Sequence, residues 1–497
     1  EMSQVRLWMG KLSKELIYRR PWLCLYEALS RSWFGQLEEA NLLLNEAEKR
    51  IRAEISMPGA QAMLGYHAYV KSRVTAMQGD TQQAIELCRT AGEYIPADNL
   101  GLQNDVSITL GYEYFLYGDF VNAKKTLLQT IRSGYIAGAV NNPVAAYAIL
   151  ARVQVYQGRL HEAYDLLQKA AHLIQEAGGQ YLGATGLVEA EIAALLYERN
   201  DVKAALDRIK ESLDLLPWWG KADDLCLAYT ILSRIQLAQG NRAEAAGAIE
   251  KADQLIQTRG VFSEARSAVE TTQVKLWLAE GDWQPAARWA ASFDEKDYGP
   301  DDPFRFRDEL AQITRARVFM AQDKPDDAIG LLSCLEDTAQ SFGRLGRLIE
   351  IMILKALALQ AVGDAAQADS ALTNSLTLAE PEGYLRIFLD EGQPMQMLLA
   401  QWMSHASAGP LRDYASQLLA QFDAEPQLVT TVQERTSPAR ELIEPLSQRE
   451  MEVLKLIALG KTNKEIAQQL IVAPGTVKAH AASIYRKLDV VNRTEAV

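Results

Sequence analysis

Apolar residues recur along most of the chain at the three- and four-residue spacing of helices that bury one face. A representative stripe precedes Gly158 and consists of Tyr147, Leu150, Ala151, Val153 and Tyr156. A second amphipathic segment follows the same glycine. The pattern predicts helices joined in pairs by short turns, and therefore an all-α fold.

The turns recur at regular intervals. Each turn residue is followed by alanine five residues later and usually by a second small residue seven positions after that. The turn residues are Gly35, Gly79, Gly118, Gly158, Asn200, Gly240, Gly281, Asp323 and Gly363, spaced 39 to 44 residues apart. Glycine tolerates the positive φ that ends a helix, and small residues seven apart let the paired helix approach closely. Since no pair can bury its stripe alone, the pattern predicts nine stacked repeats in an α-solenoid.

The turn and second-helix pattern of these repeats resembles the tetratricopeptide family. Two stretches carry the resemblance, GDFVNAKKTLLQ from Gly118 and GRLHEAYDLLQKA from Gly158. The spacing of 39 to 44 residues exceeds the ~34 residues of the common repeat, so longer helices are expected. The resemblance implies a concave binding surface, and we expect a small-molecule inducer or a regulatory protein in the solenoid groove.

Proline content and charge divide the chain. Residues 1–422 hold the repeats, and residues 423–445, with Pro426, Pro438 and Pro445, are predicted to be a linker before a domain at 446–497. Residues 1–439 carry 42 Lys+Arg and 57 Asp+Glu, a net charge of −15, whereas residues 440–497 carry 9 and 7, a net charge of +2. An acidic body with a weakly basic end is compatible with nucleic-acid binding through that end alone.

Residues 446–497 contain the helix signals of a small domain. Ser447 with Glu450, and Thr462 with Glu465, are spaced as capping boxes, and each pair predicts a helix start. Pro474 suits the first turn of a third helix. The predicted buried residues are Val453, Leu454, Ile457, Ile466, Ala467, Leu470, Val477, Ala481, Ile484 and Leu488. Two short helices followed by a longer one describe a helix-turn-helix.

The third helix of this domain has a small, basic outer face. Gly475, Ala479 and Ala482 allow this face to enter the major groove of DNA, where Lys478 can donate to base acceptors. Flanking polar residues can hold phosphates, and these are Thr476, His480, Arg486 and Lys487. For His480 a buried structural role is the alternative.

The segment LSQREMEVLKLIALGKTNKEIAQQLIVAPGTVKAHAASIYRKLDVVNRTEAV, from Leu446, resembles the LuxR-type (GerE-like) DNA-binding domain. The resemblance implies double-stranded promoter DNA as a partner, with Lys478, Ala479 and Ala482 facing bases. The expected DNA-contact set is Thr462, Asn463, Lys464, Thr476, Lys478, Ala479, His480, Ala482, Ser483, Arg486 and Lys487. That family often has a basic residue at position 482 and a capping Ser or Thr at position 473. Alanine at position 482 predicts a different target sequence. Alanine at position 473 predicts a loss of about 1 kcal/mol of stability at the helix cap.

A LuxR-type end behind long repeats resembles the MalT-like, large ATP-binding regulators. The stretches EGYLRIFLDEGQPM, from Glu382, and RRPWLCLYEALSRSWFGQLEEA, from Arg19, are typical of them. The resemblance implies a bacterial activator that senses an inducer, associates with itself on DNA and contacts RNA polymerase. Such regulators carry an ATP-binding domain ahead of the repeats. The sequence has no GxxxxGK[ST] phosphate loop, so we expect no cofactor in this chain. Glu1 and the unfinished helical pattern at Val497 suggest a piece of a longer protein.

The cysteines point to no special chemistry. Cys24, Cys88, Cys226 and Cys334 lie far apart and lack metal-ligand spacing. We expect all four to be small apolar residues inside helices, in a reducing, cytoplasmic compartment. No signal peptide or membrane span is recognisable in the sequence.

Other candidate sites are weak. Trp218 and Trp219, between Pro217 and Gly220, could stack on a ligand, but a loop packed on its neighbour is favoured. The acidic pairs Glu38–Glu39 and Asp301–Asp302 are expected at helix starts, where carboxylates favour the helix dipole. With no catalytic constellation, an enzyme is the least favoured class. The alternative to a DNA-binding regulator is a protein-interaction scaffold controlled by a partner protein, with DNA binding secondary.

Overall fold

Every regular element that the computed structural model describes is a helix, as the apolar periodicity predicts. The described residues are 7–54, 56, 59–179, 183–293, 304–424, 449–450, 453, 456, 461–470 and 472–488. Contacts divide the chain into two units, Glu1–Pro426 and Gln427–Val497. The all-α prediction is confirmed.

The described part of the first unit contains nine helix pairs, one for each predicted turn, and we number these pairs as repeats 1 to 9. A short helix, α1 (Lys14–Arg19), precedes them. The pairs are α2 (Pro21–Trp33) with α3 (Leu37–Ala53), α4 (Ala60–Met77) with α5 (Thr81–Tyr94), α6 (Leu100–Tyr117) with α7 (Phe120–Ala137), α8 (Asn141–Tyr156) with α9 (Leu160–Glu176), α10 (Thr185–Glu198) with α11 (Val202–Trp219), α12 (Ala222–Ala238) with α13 (Arg242–Thr258), α14 (Ser263–Glu280) with α15 (Trp283–Ala291), α16 (Phe304–Ala321) with α17 (Pro325–Ser341), and α18 (Leu345–Val362) with α19 (Ala365–Ala379). The tetratricopeptide-like solenoid is therefore confirmed.

Four further elements follow repeat 9 in the described part of the first unit. They are a 3-10 helix (Glu380–Glu382), α20 (Arg386–Leu389), α21 (Gly392–His405) and α22 (Pro410–Ala424). Since α22 extends to Ala424, the first two residues of the predicted linker, Asp423 and Ala424, are helical. The remainder of that predicted linker, residues 425–445, lies outside the described residues.

The nine turn residues share one backbone conformation. The seven glycines have φ between +71° and +96°, and Asn200 (+62°) and Asp323 (+61°) adopt the same left-handed region. In each turn the next N–H group donates to the carbonyl five residues earlier, for example from Asp119 to Tyr114 at 2.9 Å. This Schellman closure satisfies a carbonyl that the helix end would leave unpaired. All nine predicted turns are confirmed.

The first small residue after each turn lies where the second helix packs on the first. These alanines have no exposed surface and are Ala40, Ala84, Ala123, Ala163, Ala205, Ala245, Ala286, Ala328 and Ala368. A larger side chain at any of them would force the paired helices apart, because the contact has no free space. The repeated alanine therefore sets the distance between the two helices of a repeat.

The backbone of Asp323 is strained in its turn, because the left-handed conformation costs a non-glycine residue about 1 kcal/mol. Its side chain is exposed, so we expect Asp323→Gly to raise the free energy of unfolding by about 0.5–1 kcal/mol. Thermal unfolding of the wild type and the variant measures this. Asn200→Gly is the matched control. It relieves the same strain but removes hydrogen bonds to Gln421 Oε1 (2.9 Å) and from Arg386 Nη1 (3.1 Å). An equal gain in the free energy of unfolding in the two variants would contradict this account, because Asn200→Gly should lose part of the gain with its hydrogen bonds.

Glycines also join repeats that are far apart in the sequence. The pairs in close contact are Gly35 with Gly260, Gly118 with Phe306, and Gly158 with Leu345 and Gly346. A methyl group at Gly346, the second residue of α18, would lie 2.4 Å from the carbonyl oxygen of Val155. Repeat 3 therefore contacts repeat 8, and repeat 4 contacts repeat 9. One superhelical turn takes five repeats, and successive turns touch backbone to backbone.

The residues after repeat 9 continue this arrangement against repeat 5. We call residues 383–391 the closing segment. Leu385 N–H donates to the Glu198 carbonyl at 2.9 Å, and Tyr197 OH donates to Asp390 Oδ1 at 2.8 Å. These bonds place the closing segment five repeats after repeat 5. The stretch from Glu382 that is typical of MalT-like regulators is thus part of the superhelix.

All four cysteines lie inside helices, as predicted. Cys24, Cys88 and Cys226 are also buried, whereas Cys334 is exposed. Cys334 lies on α17 two residues after the buried Leu332, which places it on the opposite face of the helix.

The structure also bears on the predictions for the acidic pairs and for membrane spans. Glu38 and Glu39 lie in the first turn of α3, as predicted, while Asp301 and Asp302 lie outside the described residues. Among the helices of the described ranges, none is both long and apolar enough to cross a membrane.

Candidate nucleic-acid interface and inner cavity

The second unit contains the core of the predicted helix-turn-helix. Its described helices are α23 (Asn463–Leu470) and α24 (Pro474–Leu488), and Arg449, Glu450, Val453 and Leu456 are also helical. One buried cluster joins them and consists of Val453, Leu456, Ile466, Ala467, Val477 and Ala481. Leu456 is the member that the sequence pattern did not identify. The predicted side chains of Leu454, Ile457, Ile484 and Leu488 lie outside the described residues.

Local hydrogen bonds explain where α23 begins. Thr462 N–H donates to Glu465 Oε2 at 2.7 Å, and Glu465 N–H donates to Thr462 Oγ1 at 3.4 Å. The predicted capping box is therefore confirmed, and the bonds from Thr462 hold the pKa of Glu465 below its ordinary value. Ser447 lies outside the described residues, so its capping box stays a prediction. Glu450 is buried.

The start of α24 lacks a side-chain cap. Thr476 N–H donates to the carbonyl of Ala473 at 2.9 Å, but the alanine methyl offers no oxygen to a free N–H group. Pro474 is the first residue of the helix, as predicted. One further contact was not expected from the sequence, since Arg449 Nη2 donates to the carbonyl of Leu470 at 2.8 Å. This bond ties the first helix of the domain to the end of α23.

On α24, buried and exposed residues alternate with helical spacing. Val477 and Ala481 are buried, whereas Gly475, Thr476, Lys478 and Ala479 are exposed. A methyl group on Gly475 would meet no atom within 4 Å. Among these exposed residues, Lys478 is the long basic side chain, and the others are small.

The other residues of the expected DNA-contact set fall into three groups. Thr462 and Lys464 are exposed at the start of α23, and His480 and Ser483 are half-buried on α24. The side chains of Asn463, Ala482, Arg486 and Lys487 lie outside the described residues. The set as a whole stays a prediction.

The first unit contains an inner cavity of about 240 Å³ that is partly open to solvent. Its walls come from the inner helices α8, α10, α12, α14, α16 and α18 and from the closing segment. Four basic side chains line it, Arg152, Arg234, Lys275 and Arg347, and so do four acidic ones, Glu191, Glu198, Glu350 and Asp390. The charges of these eight residues balance.

Sequence reasoning missed this charged lining, although a signal was present. A basic residue stands six positions before the turn in five of the nine repeats, at Arg73, Arg152, Arg234, Lys275 and Arg317. These residues lie on the first helix of each repeat, among apolar positions, where an unpaired cation would be costly. A basic residue repeated at such a position predicts a line of paired charges along the inner surface of a solenoid.

Glu350 is the centre of the largest charge cluster. Its carboxylate lies 3.0 Å from Arg317 Nη2, 3.1 Å from Arg347 Nη1 and 3.6 Å from Lys275 Nζ. Burial alone would raise the pKa of Glu350, but the attraction of these cations is larger and holds the pKa well below its ordinary value. The cluster joins repeats 7, 8 and 9, and Arg317 extends it to Glu391 of the closing segment at 2.7 Å.

Trp218 is not part of this cavity. Trp218 is 81% exposed in the last turn of α11 and is absent from the cavity lining. The interpretation of Pro217–Trp219 as a packed loop is wrong, because the helix continues to Trp219 and ends at Gly220 in the left-handed region. The Trp219 side chain lies outside the described residues. Among the described residues, no group of His, Cys, Asp and Glu side chains could hold a metal ion.

Comparison with known proteins agrees with both parts of the architecture. The family "MalT-like TPR region" matches residues 65–405, and the family "Bacterial regulatory proteins, luxR family" matches residues 444–497. The crystal structure of a Rap protein complexed with competence and sporulation factor superposes with a TM-score of 0.51 at 13% identity. It covers 73% of this chain and 99% of that one. This likeness concerns the fold alone.

Relatives with assigned functions are similar over nearly the whole chain. The HTH-type transcriptional regulator MalT of Klebsiella pneumoniae (strain 342) is 26% identical over 504 residues, covering 96% of this chain and 54% of that protein. MalT of Yersinia pestis (strain Pestoides F) is 24% identical over 518 residues, covering 100% of this chain and 56% of that protein. The chain thus spans about half the length of these curated relatives. Because the MalT-like model covers more than half of the chain, the chain belongs to the MalT-like TPR family and ends in a luxR family helix-turn-helix domain.

Proposed function

We propose that this protein is a DNA-binding transcriptional regulator, acting as an activator. The exposed face of α24 carries the proposal. Gly475, Thr476, Lys478 and Ala479 are exposed on it, while Val477 and Ala481 anchor the helix from behind. A small-residue surface with one long donor fits the floor of the major groove, where guanine offers two acceptors to a lysine.

The remaining expected contacts are proposed to position the domain. Thr462, Asn463 and Lys464 lie at the start of α23, where the positive end of the helix dipole and a lysine suit a phosphate. Thr476, His480, Ser483, Arg486 and Lys487 flank the reading face and would hold the backbone on either side. Ala482 would face a base, but its methyl group can neither donate nor accept a hydrogen bond.

Residues 1–424 are proposed to be the sensor and residues 446–497 the DNA reader, joined by a linker at 425–445. The inner cavity supports a small-molecule inducer over a protein partner in that place, because its walls include the next superhelical turn. The closing segment would couple the two regions. Tyr384, Ile387 and Asp390 line the cavity, and the chain continues from them through α21 and α22 to the linker. A regulatory protein would bind the outer surface instead.

Self-association would supply the affinity that one reader lacks. A net charge of +2 in residues 440–497 gives little counterion release. Several chains on neighbouring half-sites bind with a high effective concentration, without any new contact to DNA. In this proposal the inducer changes the assembly of the arrays, and the assembled readers contact promoter DNA and RNA polymerase.

Replacing Lys478 tests the proposed reading face. Duplexes are first selected from a random pool with the wild-type chain, and binding is then titrated against salt for the wild type and Lys478→Ala. We expect the specific affinity to fall by about 5- to 100-fold, because one base contact is lost, and selectivity at that position to relax.

Lys169→Ala serves as the control, since Lys169 is an exposed lysine of the array outside the reader. It should leave binding unchanged. A Lys478→Ala variant with unaltered affinity and preference would show that α24 does not dock as proposed. A lower salt slope with intact preference would reassign Lys478 to a phosphate.

A further inference from the structure

Two charged groups in the inner cavity have unused bonding capacity. Among the described residues, Lys275 Nζ has one ion-pair partner, Glu350 at 3.6 Å, and makes no hydrogen bond. Glu198 accepts a bond from Arg234 Nη2 at 2.9 Å through one oxygen, while its second oxygen, Oε2, is buried without a partner in the same described part of the chain. Burial lowers the pKa of Lys275 and raises the pKa of Glu198. Both side chains would therefore gain from an opposite charge.

A third polar group belongs to another residue of the cavity wall. The Tyr384 hydroxyl, which belongs to the closing segment, is buried without a hydrogen-bond partner among the described residues. Buried polar groups in folded proteins nearly always have a partner, and an exception at a cavity wall suggests a missing ligand. The three groups together offer a cation, an anion and a hydroxyl.

The volume of the cavity and the balance of charges on its wall restrict the class of ligand. At about 240 Å³ it lies below the ~300–1,000 Å³ of sites for drug-sized molecules. Among the described residues of its wall, the four basic and four acidic side chains leave no net charge to hold a simple anion or cation. Leu195, Leu310 and Ile387 add an apolar part to the wall. A small dipolar molecule with an apolar portion fits all of these features.

We propose that the cavity binds a free amino acid with an apolar side chain. Its carboxylate would accept hydrogen bonds from Lys275, and its ammonium would donate to Glu198 Oε2 and the Tyr384 hydroxyl. The apolar side chain would contact Leu195, Leu310 and Ile387. This inference deepens the sensing role proposed for the array and rests on it, because the ligand would contact the closing segment directly.

Calorimetry and thermal shift on the whole chain test the ligand class. The probes are leucine, isoleucine, valine, methionine and phenylalanine. Three compounds are matched to leucine. Isoamylamine lacks the carboxylate, and 4-methylvalerate lacks the amino group. N-acetyl-leucine keeps the carboxylate but has a neutral amide in place of the ammonium. We expect at least one free amino acid to bind and to raise the unfolding temperature. Each matched compound should bind at least about 10-fold more weakly, because it leaves one charged group unpaired. Glucose is the probe for a neutral polar ligand.

Variants test the assigned residues. Lys275→Met keeps the aliphatic stem and should weaken binding of the amino acid by about 10- to 100-fold. Lys355→Met is the matched control, because Lys355 pairs with Glu336 at 2.6 Å and does not line the cavity. It should bind as the wild type does. Glu198→Gln keeps the shape and removes the negative charge, so it should reduce the preference for leucine over 4-methylvalerate. Circular dichroism confirms that each variant is folded before binding is compared.

Several results would overturn the inference. These are the absence of binding by all five amino acids, equal binding of leucine and its matched compounds, binding of glucose alone, or full affinity in folded Lys275→Met. Because no DNA is present, failure here is distinguishable from failure of the proposed function. A chain that binds promoter DNA but no amino acid refutes this inference, and the reverse result refutes DNA reading.

Discussion

Gly346→Ala is expected to lower the free energy of unfolding of the repeat array by about 3 kcal/mol or more. The new methyl group would lie 2.4 Å from the carbonyl oxygen of Val155, and this oxygen belongs to the backbone of another repeat. No side-chain rotation can relieve such a contact, so α18 must move away from α8. Denaturant titration followed by circular dichroism measures the loss.

Gly330→Ala is the control for helical glycines. Gly330 lies inside α17, and a methyl group there would meet no atom within 4 Å. Alanine is a better helix former than glycine, so this variant should be more stable by about 0.5–1 kcal/mol. Similar behaviour of the two variants would mean that α18 and α8 are not in backbone contact.

Glu350→Ala is expected to cost about 3–5 kcal/mol, because it leaves buried cations without their shared counter-charge. Arg317, Arg347 and Lys275 all lie within 3.6 Å of this carboxylate. The exposed pair of Glu86 and Arg89, at 3.3 Å, provides the control. Glu86→Ala should change stability by less than about 0.5 kcal/mol. Equal effects of the two substitutions would show that the cluster does not hold repeats 7, 8 and 9 together.

The effect of Glu350 should also depend on pH. A carboxyl whose pKa is depressed in the folded state stabilises the protein above its unfolded pKa, here 4.5, and loses that contribution as pH falls towards the folded pKa. The difference in stability between the wild type and Glu350→Ala should therefore be constant from pH 6 to 8. It should shrink below pH 4.5. Urea titrations at several pH values measure this difference, and a gap that grows on acidification would contradict the assigned charge state.

The local part of the fold was predictable because it depends on neighbours in the sequence. A left-handed turn needs glycine, asparagine or aspartate. The alanine five residues later is required only by close packing against the other helix of the same repeat. The period therefore predicts the turns, from Gly35 to Gly363, and the buried alanines. In the reader, the capping box of Thr462 and Glu465 was visible for the same reason.

The cavity was not predictable from the same evidence, since it depends on the superhelical pitch. Nothing in the spacing of Gly158 says that Gly346 will lie against it, and without that contact the inner charges have no assigned partners. Trp218 illustrates the opposite error. A proline and a glycine around two tryptophans suggested a loop, but Pro217 lies inside α11, and the helix continues past it to Trp219.

The contacts between repeats five apart have a consequence for how this array can change over evolutionary time. Ordinary solenoids gain or lose whole repeats with little penalty, since each repeat meets only its neighbours. Here the insertion or deletion of one repeat between Gly158 and Gly346 would bring the wrong partner to each turn. It would also move the closing segment away from Glu198. The number of repeats in this part of the chain is thus fixed in the way that the number of strands in a closed barrel is fixed, and homologues should vary in loop length before they vary in repeat count.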